Sequence, residues 1–165
     1  MTNALNVISE EKSVDTGITD QDALATALGD ILADTYRLTF KTHVYHWNVA
    51  GPMFFAVHNL TEGQYENMFA AADELAERIR AIGKLAPSTL NGIVGDSVIE
   101  DKPDILSAGD MCEDLAADHE RIAHRLHALV ELAGKHKDPV TEDLATARSA
   151  FHEKAVWMLR ALCAE

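Results

Sequence analysis

Five side chains within one stretch of this 165-residue chain combine types and spacings that can hold a metal ion: His46, His58, Glu62, Asp73 and Glu77. His58 and Glu62 stand four residues apart, and so do Asp73 and Glu77. On a helix that spacing puts both members of a pair on one face, within reach of a common ion. Imidazole with carboxylate suits Fe(II), Zn(II) or Mn(II). An all-oxygen set would favour calcium or magnesium, and thiolates would favour zinc or an iron–sulfur cluster. Carboxylates can also bridge two ions ~3.5–4 Å apart. Neutral imidazole and hard carboxylate together tolerate both Fe(II) and Fe(III), as redox turnover requires.

The surrounding pattern is helical. Leu24, Leu28, Ile31 and Leu32 recur at three- and four-residue steps after a capping Thr19 or Asp20. This predicts a helix running to about Trp47, where Gly51-Pro52 stops it. A second helix is expected from about Phe55 to Ile82, with Leu60, Met68, Ala72, Leu75, Ala76, Ile79 and Ile82 on its apolar face and Gly83 just past its end. Residues 84–106 hold two prolines and two glycines and read as a long crossover with room for one short helix. A third helix is expected from Ser107 to Ala133, ended by Gly134. Asp138 then caps a fourth that Pro139 opens, lined by Leu144, Phe151, Ala155, Met158, Leu159 and Leu162. Four long helices with a long connection between the second and third predict an all-α, ferritin-like four-helix bundle. Residues 20–165 form its one domain, and residues 1–19 are a polar arm expected to be flexible.

This framework decides which candidate ligands can meet. His46 ends the first helix, His58 begins the second, and the short turn makes the two antiparallel neighbours. His46, His58 and Glu62 therefore share one end of the hairpin. Asp73 lies fifteen residues beyond His58, ~22 Å along a helix at ~1.5 Å per residue. One ion cannot bridge that. If both groups serve one site, they come from two chains packed antiparallel about a two-fold axis, which makes two identical sites. Singly, each residue has a plainer reading: an Asp–Glu pair followed by Arg78 is also the pattern of a solvated ion-pair face.

Composition narrows the partners. The formal net charge of −13 repels phosphates and anionic headgroups and attracts cations. Cys112 and Cys163 are far apart, without C-x-x-C spacing, and read as reduced thiols rather than a disulfide or zinc site. No basic and apolar targeting segment opens the chain, and no apolar run is long enough to span a bilayer, so a cytoplasmic location is expected.

The run HWNVAGPMFFAVH at 46–58, then Glu62, then DELAERIRAIG at 73–83, closely resembles the Dps family of mini-ferritins, with support from HEKAVWMLRA at 152–161. The resemblance covers about residues 20–163. It implies a ferroxidase whose substrate and cargo is iron (Fe2+/Fe3+), oxidised preferably by hydrogen peroxide in a hollow dodecamer that counters oxidative stress. It assigns His46, His58 and Glu62 to one subunit and Asp73 and Glu77 to its neighbour. Trp47 corresponds to the tryptophan beside the iron, able to intercept stray oxidising equivalents, though an aromatic at the subunit interface serves as well. The resemblance also places Asp138, Glu142 and Asp143 at three-fold pores for Fe(II), whereas carboxylates at that point equally favour the helix dipole. Arg78 is expected to orient Asp73 or Glu77, and His43 to act behind the ligands.

Departures matter too. Met53 stands where many members carry histidine. The arm holds one basic residue, Lys12, among Glu10, Glu11 and Asp15, unlike the lysine-rich arms of members that condense DNA. A DNA-coating protein of the same family is thus the weaker alternative. Glu120, His124 and His127 fall at helical steps and read as a solvated face before a metal patch.

Overall fold

The computed structural model describes residues 14–95, 97–104 and 106–163. Its order is α1 (Gln21–Asn48), α2 (Phe54–Ala81), α3 (Leu90–Val94), α4 (Ala108–Lys135) and α5 (Pro139–Leu162). The four long helices form the bundle and α3 is the short helix inside the crossover. Among the described residues there is no strand, and no helix is long and apolar enough to cross a membrane. Of the polar arm, residues 14–19 lie along the body: the Val14 N–H donates to the Ala81 carbonyl and the Thr19 N–H to that of His136. Residues 1–13 lie outside the described residues.

Caps set the helix boundaries. Asp20 accepts from the Ala23 N–H, Ser107 from that of Asp110, and Asp138 from that of Thr141. Each satisfies an amide that the first turn leaves without a carbonyl. Gly51 and Gly83 adopt φ of 88° and 92°, which side chains resist, and so end α1 and α2 sharply. Gly134 does not end α4 as expected. The helix runs through it to Lys135, and the left-handed residue is Lys137, at φ 60°. Backbone bonds from Asp138 to Ala133 and from His136 to Leu132 carry the chain past the glycine and close the turn.

Leu24, Leu28, Leu32 and Leu38 of α1, Met68, Leu75 and Ile79 of α2, and Leu115, Ile122 and Leu126 of α4 are almost wholly buried. Burying side chains of this size contributes roughly 1.5–3 kcal/mol each. On the expected face of α5, Ala155 and Leu159 are buried and Leu144, Phe151 and Leu162 pack against the core, but Met158 is exposed, and Arg148, Ser149 and His152 also turn inward with Ala145 and Val156. Apolar spacing alone missed this because polar residues take core positions where partners wait. His152 Nδ1 meets His119 Nδ1 of α4 at 2.8 Å, and Arg148 donates to Asn67 at 2.7 Å while lying over the Phe151 ring. The His119–His152 level also holds Thr42 of α1 and Gln64 of α2, as the neighbouring Lys41–Asp118 and Arg148–Asn67 bonds fix it.

The buried imidazoles make the fold sensitive to acid. Burial, then the nearby Arg148 charge, pushes His119 down to about 3, and the same causes with His119 between them lower His152 well below its ordinary value. Unfolded histidine titrates near 6.5, so between 6.5 and the folded value the unfolded chain binds protons that the native one refuses. Stability is therefore complete above that range and falls as pH drops through it. At pH 5 the loss from His119 is about 2 kcal/mol, and His152 adds to it in the same direction. A urea midpoint clearly lower at pH 5 than at pH 7.5 is expected; equal midpoints would mean that the pair is charged in the fold.

Candidate metal centre

Where α1 meets α2, His46 and His58 face each other with ring centroids 3.7 Å apart and planes 19° off parallel. They exchange hydrogen bonds: His46 Nδ1–H donates to the His58 carbonyl at 2.9 Å, and His58 Nδ1–H donates to the His46 carbonyl at 3.0 Å. A carbonyl can only accept, so both protons sit on Nδ1. Both Nε2 atoms then carry lone pairs, the form in which histidine ligates a metal, with orientation set by the bond behind it. The hairpin builds this arrangement, because the Gly51 turn brings the last turn of one helix beside the first turns of the next.

Glu62 is exposed one turn beyond His58. Tyr65 lies next, its phenol raised in pKa by burial and then by the Glu62 and Glu66 charges. Sequence reasoning missed Tyr65; only the pairing of helices reveals it. Its ring stacks on His43 at 4.3 Å and meets His46 edge-on at 5.2 Å. His43 in turn lies 4.1 Å from Trp47. Trp47 is 56% exposed in the single chain, so its indole is not buried within the bundle.

Asp73 and Glu77 are exposed far along α2, as its straight run from Phe54 to Ala81 requires. Among the described residues, no group of three or more histidine, cysteine or acidic side chains within one chain is arranged to hold a metal ion. Arg78 does not orient these acids. It donates to Asp138 at 2.6 Å and to the Thr141 hydroxyl at 2.8 Å, tying α2 to the start of α5. Neighbours on a helix point ~100° apart, so Arg78 leaves the face that carries Glu77.

The acids at the start of α5 divide. Asp138 is fully buried; burial opposes its charge, but Arg78 and Thr141 more than offset this and hold its pKa below the usual value. Glu142 and Asp143 are exposed. On the outer face of α4, Glu120 is held by Arg160 at 2.6 Å and His127 by Glu153 at 3.0 Å, while His124 faces solvent.

The ferritin-like domain family model matches residues 25–165. The chain is 33% identical to the DNA protection during starvation protein of Brevibacillus brevis, over 86% of this chain and 95% of the relative. The crystal structure of Dps from Staphylococcus aureus superposes with a TM-score of 0.85 at 31% identity, covering 88% of this chain and 98% of that one. Dps from Vibrio cholerae, described as a member of a broad superfamily of ferritin-like diiron-carboxylate proteins, does so at 0.84 and 29% identity, covering 93% and 98%. With its ferritin-like helices and its paired histidines at the hairpin end, the chain belongs to the Dps family.

Proposed function

We propose that the protein is a ferroxidase mini-ferritin, which oxidises Fe(II), preferably with hydrogen peroxide, and stores the ferric product inside a hollow dodecamer, protecting its cell from oxidative stress. The observation that carries this reading is the His46–His58 pair, with both Nε2 atoms left free by reciprocal backbone bonds.

Two further features support a site shared by two chains. On α2, the midpoint between His58 and Glu77 coincides with the midpoint between Glu62 and Asp73. A two-fold axis crossing the helix there sets both pairs opposite each other at once. The same side of the α1–α2 layer exposes Phe40, Trp47 and Phe69 at 61%, 56% and 63%, an aromatic patch that a monomer has little reason to show.

In the proposed reaction His46 and His58 bind Fe(II) through Nε2, with Glu62 from the same chain. Asp73 and Glu77 complete the site from the second chain, and Glu62 and Glu77 are suited to bridge. Two Fe(II) give one electron each, the O–O bond of peroxide breaks, and two protons complete two waters, so no hydroxyl radical is released. Trp47, against His43 beside the ligands, is placed to receive a stray oxidising equivalent. Glu142 and Asp143 are the carboxylates free to line an entry pore; Asp138 is committed to Arg78.

Anaerobic Fe(II) titration followed by peroxide, read by ultraviolet absorbance, tests the reading. Two Fe(II) should be consumed per peroxide, with spin traps silent. One Fe(II) per peroxide with trapped radical would mean Fenton chemistry and no ferroxidase. Coating of DNA is the second reading, and 27 acidic against 14 basic residues argue against it. No gel retardation is expected even at low salt.

A further inference from the structure

We propose that Cys112 and Cys163 are an oxidative modification site: they close reversibly into an intrachain disulfide that clasps the end of α5 to the start of α4. The inference is independent of the iron chemistry.

The fold brings together two thiols that are remote in sequence. Cys112 lies in the first turns of α4 and is fully buried, and Cys163 is the half-buried residue that caps α5. The two helices run antiparallel, since His119 meets His152 and Glu113, nearer the start of α4, meets Arg160, nearer the end of α5, so these ends adjoin. The two thiols lie close enough for each to act on the other, Cys112 within the hydrophobic core and Cys163 packed against it. Arg160, one turn before Cys163, reaches Glu120 at 2.6 Å and Glu113, the neighbour of Cys112, at 3.2 Å. Exposed ion pairs of this kind add little stability, but these two hold α5 in register over the first turns of α4.

A bond needs the sulfurs to come within ~2.05 Å of each other. Cys112 is fixed within a helix. Cys163 lies just past one, its N–H still bonded to the Arg160 carbonyl, where the backbone gives most readily. One rigid and one yielding partner suit a bond that forms without unfolding.

The accessible sulfur reacts first. The Cys163 thiolate attacks hydrogen peroxide; the O–O bond breaks, hydroxide leaves and a sulfenic acid forms. The Cys112 sulfur then attacks the Cys163 sulfur. Its proton goes to the departing oxygen, the S–O bond breaks and water leaves. In sum, two thiols and one peroxide give a disulfide and two waters. Burial, followed by the Cys163 thiol beside it, holds Cys112 up to about 12, so Cys112 is not the sulfur that meets peroxide first. Two structural thiols filling an apolar corner are the plainer account, and they would stay reduced.

The test uses the full chain, reduced, freed of metal and exposed to peroxide, then denatured and alkylated. The intact mass is expected to fall by about 2 Da with no alkylation, and digestion should yield one cross-linked peptide pair joining Cys112 to Cys163. Dithiothreitol should restore both thiols. The oxidised chain should melt about 4 °C higher than the reduced one. In Cys112→Ser, Cys163 should gain oxygen instead; in Cys163→Ser, Cys112 should remain a thiol. Two alkylatable thiols after peroxide, over-oxidised Cys163 beside a free Cys112, or a disulfide joining two chains on a non-reducing gel would each overturn the proposal.

Discussion

Co-expressed in equal amounts, a His46→Ala/His58→Ala chain and an Asp73→Ala/Glu77→Ala chain should recover about a quarter of wild-type ferroxidase sites, though either alone is nearly inactive. The reason is geometric. Each proposed site takes the histidine half from one chain and the acidic half from another. In a random mixture, half of the first contributions and half of the second are intact, so one site in about four is whole. Each variant alone should lose at least about 100-fold in the initial rate of Fe(II) oxidation, since even outer partners of metal ligands cost 10–100-fold. Asp73 and Glu77 are exposed, and His46 and His58, buried and half-buried at the hairpin end, lie outside the hydrophobic core, so both variants should assemble as the wild type does on size exclusion. Rates measured on the two variants and on their co-expressed mixture decide the matter. A mixture no faster than its parts would place both halves of each working site in a single chain.

Lys41→Met should destabilise the chain by about 3 kcal/mol, among the largest effects of any single substitution outside the hydrophobic core. Lys41 is 3% exposed and its ammonium lies 2.5 Å from Asp114 and 2.6 Å from Asp118, with the Glu100 carbonyl at 3.0 Å. Tyr45 donates to Asp114 at 2.7 Å, and Arg121 pairs with Asp118. The two carboxylates respond differently. For both, burial opposes the charge; at Asp118, fully buried, it prevails and the pKa rises, whereas at Asp114 the bonds from Lys41 and Tyr45 prevail and the pKa falls. Removing the ammonium leaves Asp118 in the interior with Arg121 alone. The cost arises from that stranded carboxylate more than from the lost attraction. Adding Asp118→Leu to Lys41→Met should therefore restore at least about half of the loss, read as the urea midpoint of each variant. A double variant as unstable as the single one would mean that packing of the lysine stem, and not charge, is what α1 and α4 share here.

Both expectations depend on one feature of the bundle. The apolar stripes hold the helices together, but polar contacts set how they slide past one another. Lys41 with Asp114 and Asp118, Arg125 with Asp34 at 2.6 Å, and Arg78 with Asp138 each tie one level of a helix to one level of its neighbour. Asp34 also accepts from Ser97 and the Val98 N–H, and so anchors the crossover against α1. Apolar surfaces alone would tolerate a shift of one turn, about 5.4 Å, which would separate His46 from His58.

Much of this was legible in the residues themselves. Leucines at helical steps, Asp20, Ser107 and Asp138 as caps, and Gly51 and Gly83 as stops act within a turn or two of chain, and local interactions of that range are written directly in residue order. The same holds for the division of candidate ligands into two groups, because helical rise makes sequence separation a distance. Other features existed only once distant segments met. Arg78 turned from Glu77 to Asp138, His152 turned inward to meet His119, and Tyr65 came to lie against His43 and His46. Cys112 found Cys163 for the same reason. Polar and sulfur side chains carry no periodic signature of burial; whether one points inward depends on the partner that satisfies it, and that partner is chosen by packing across helices.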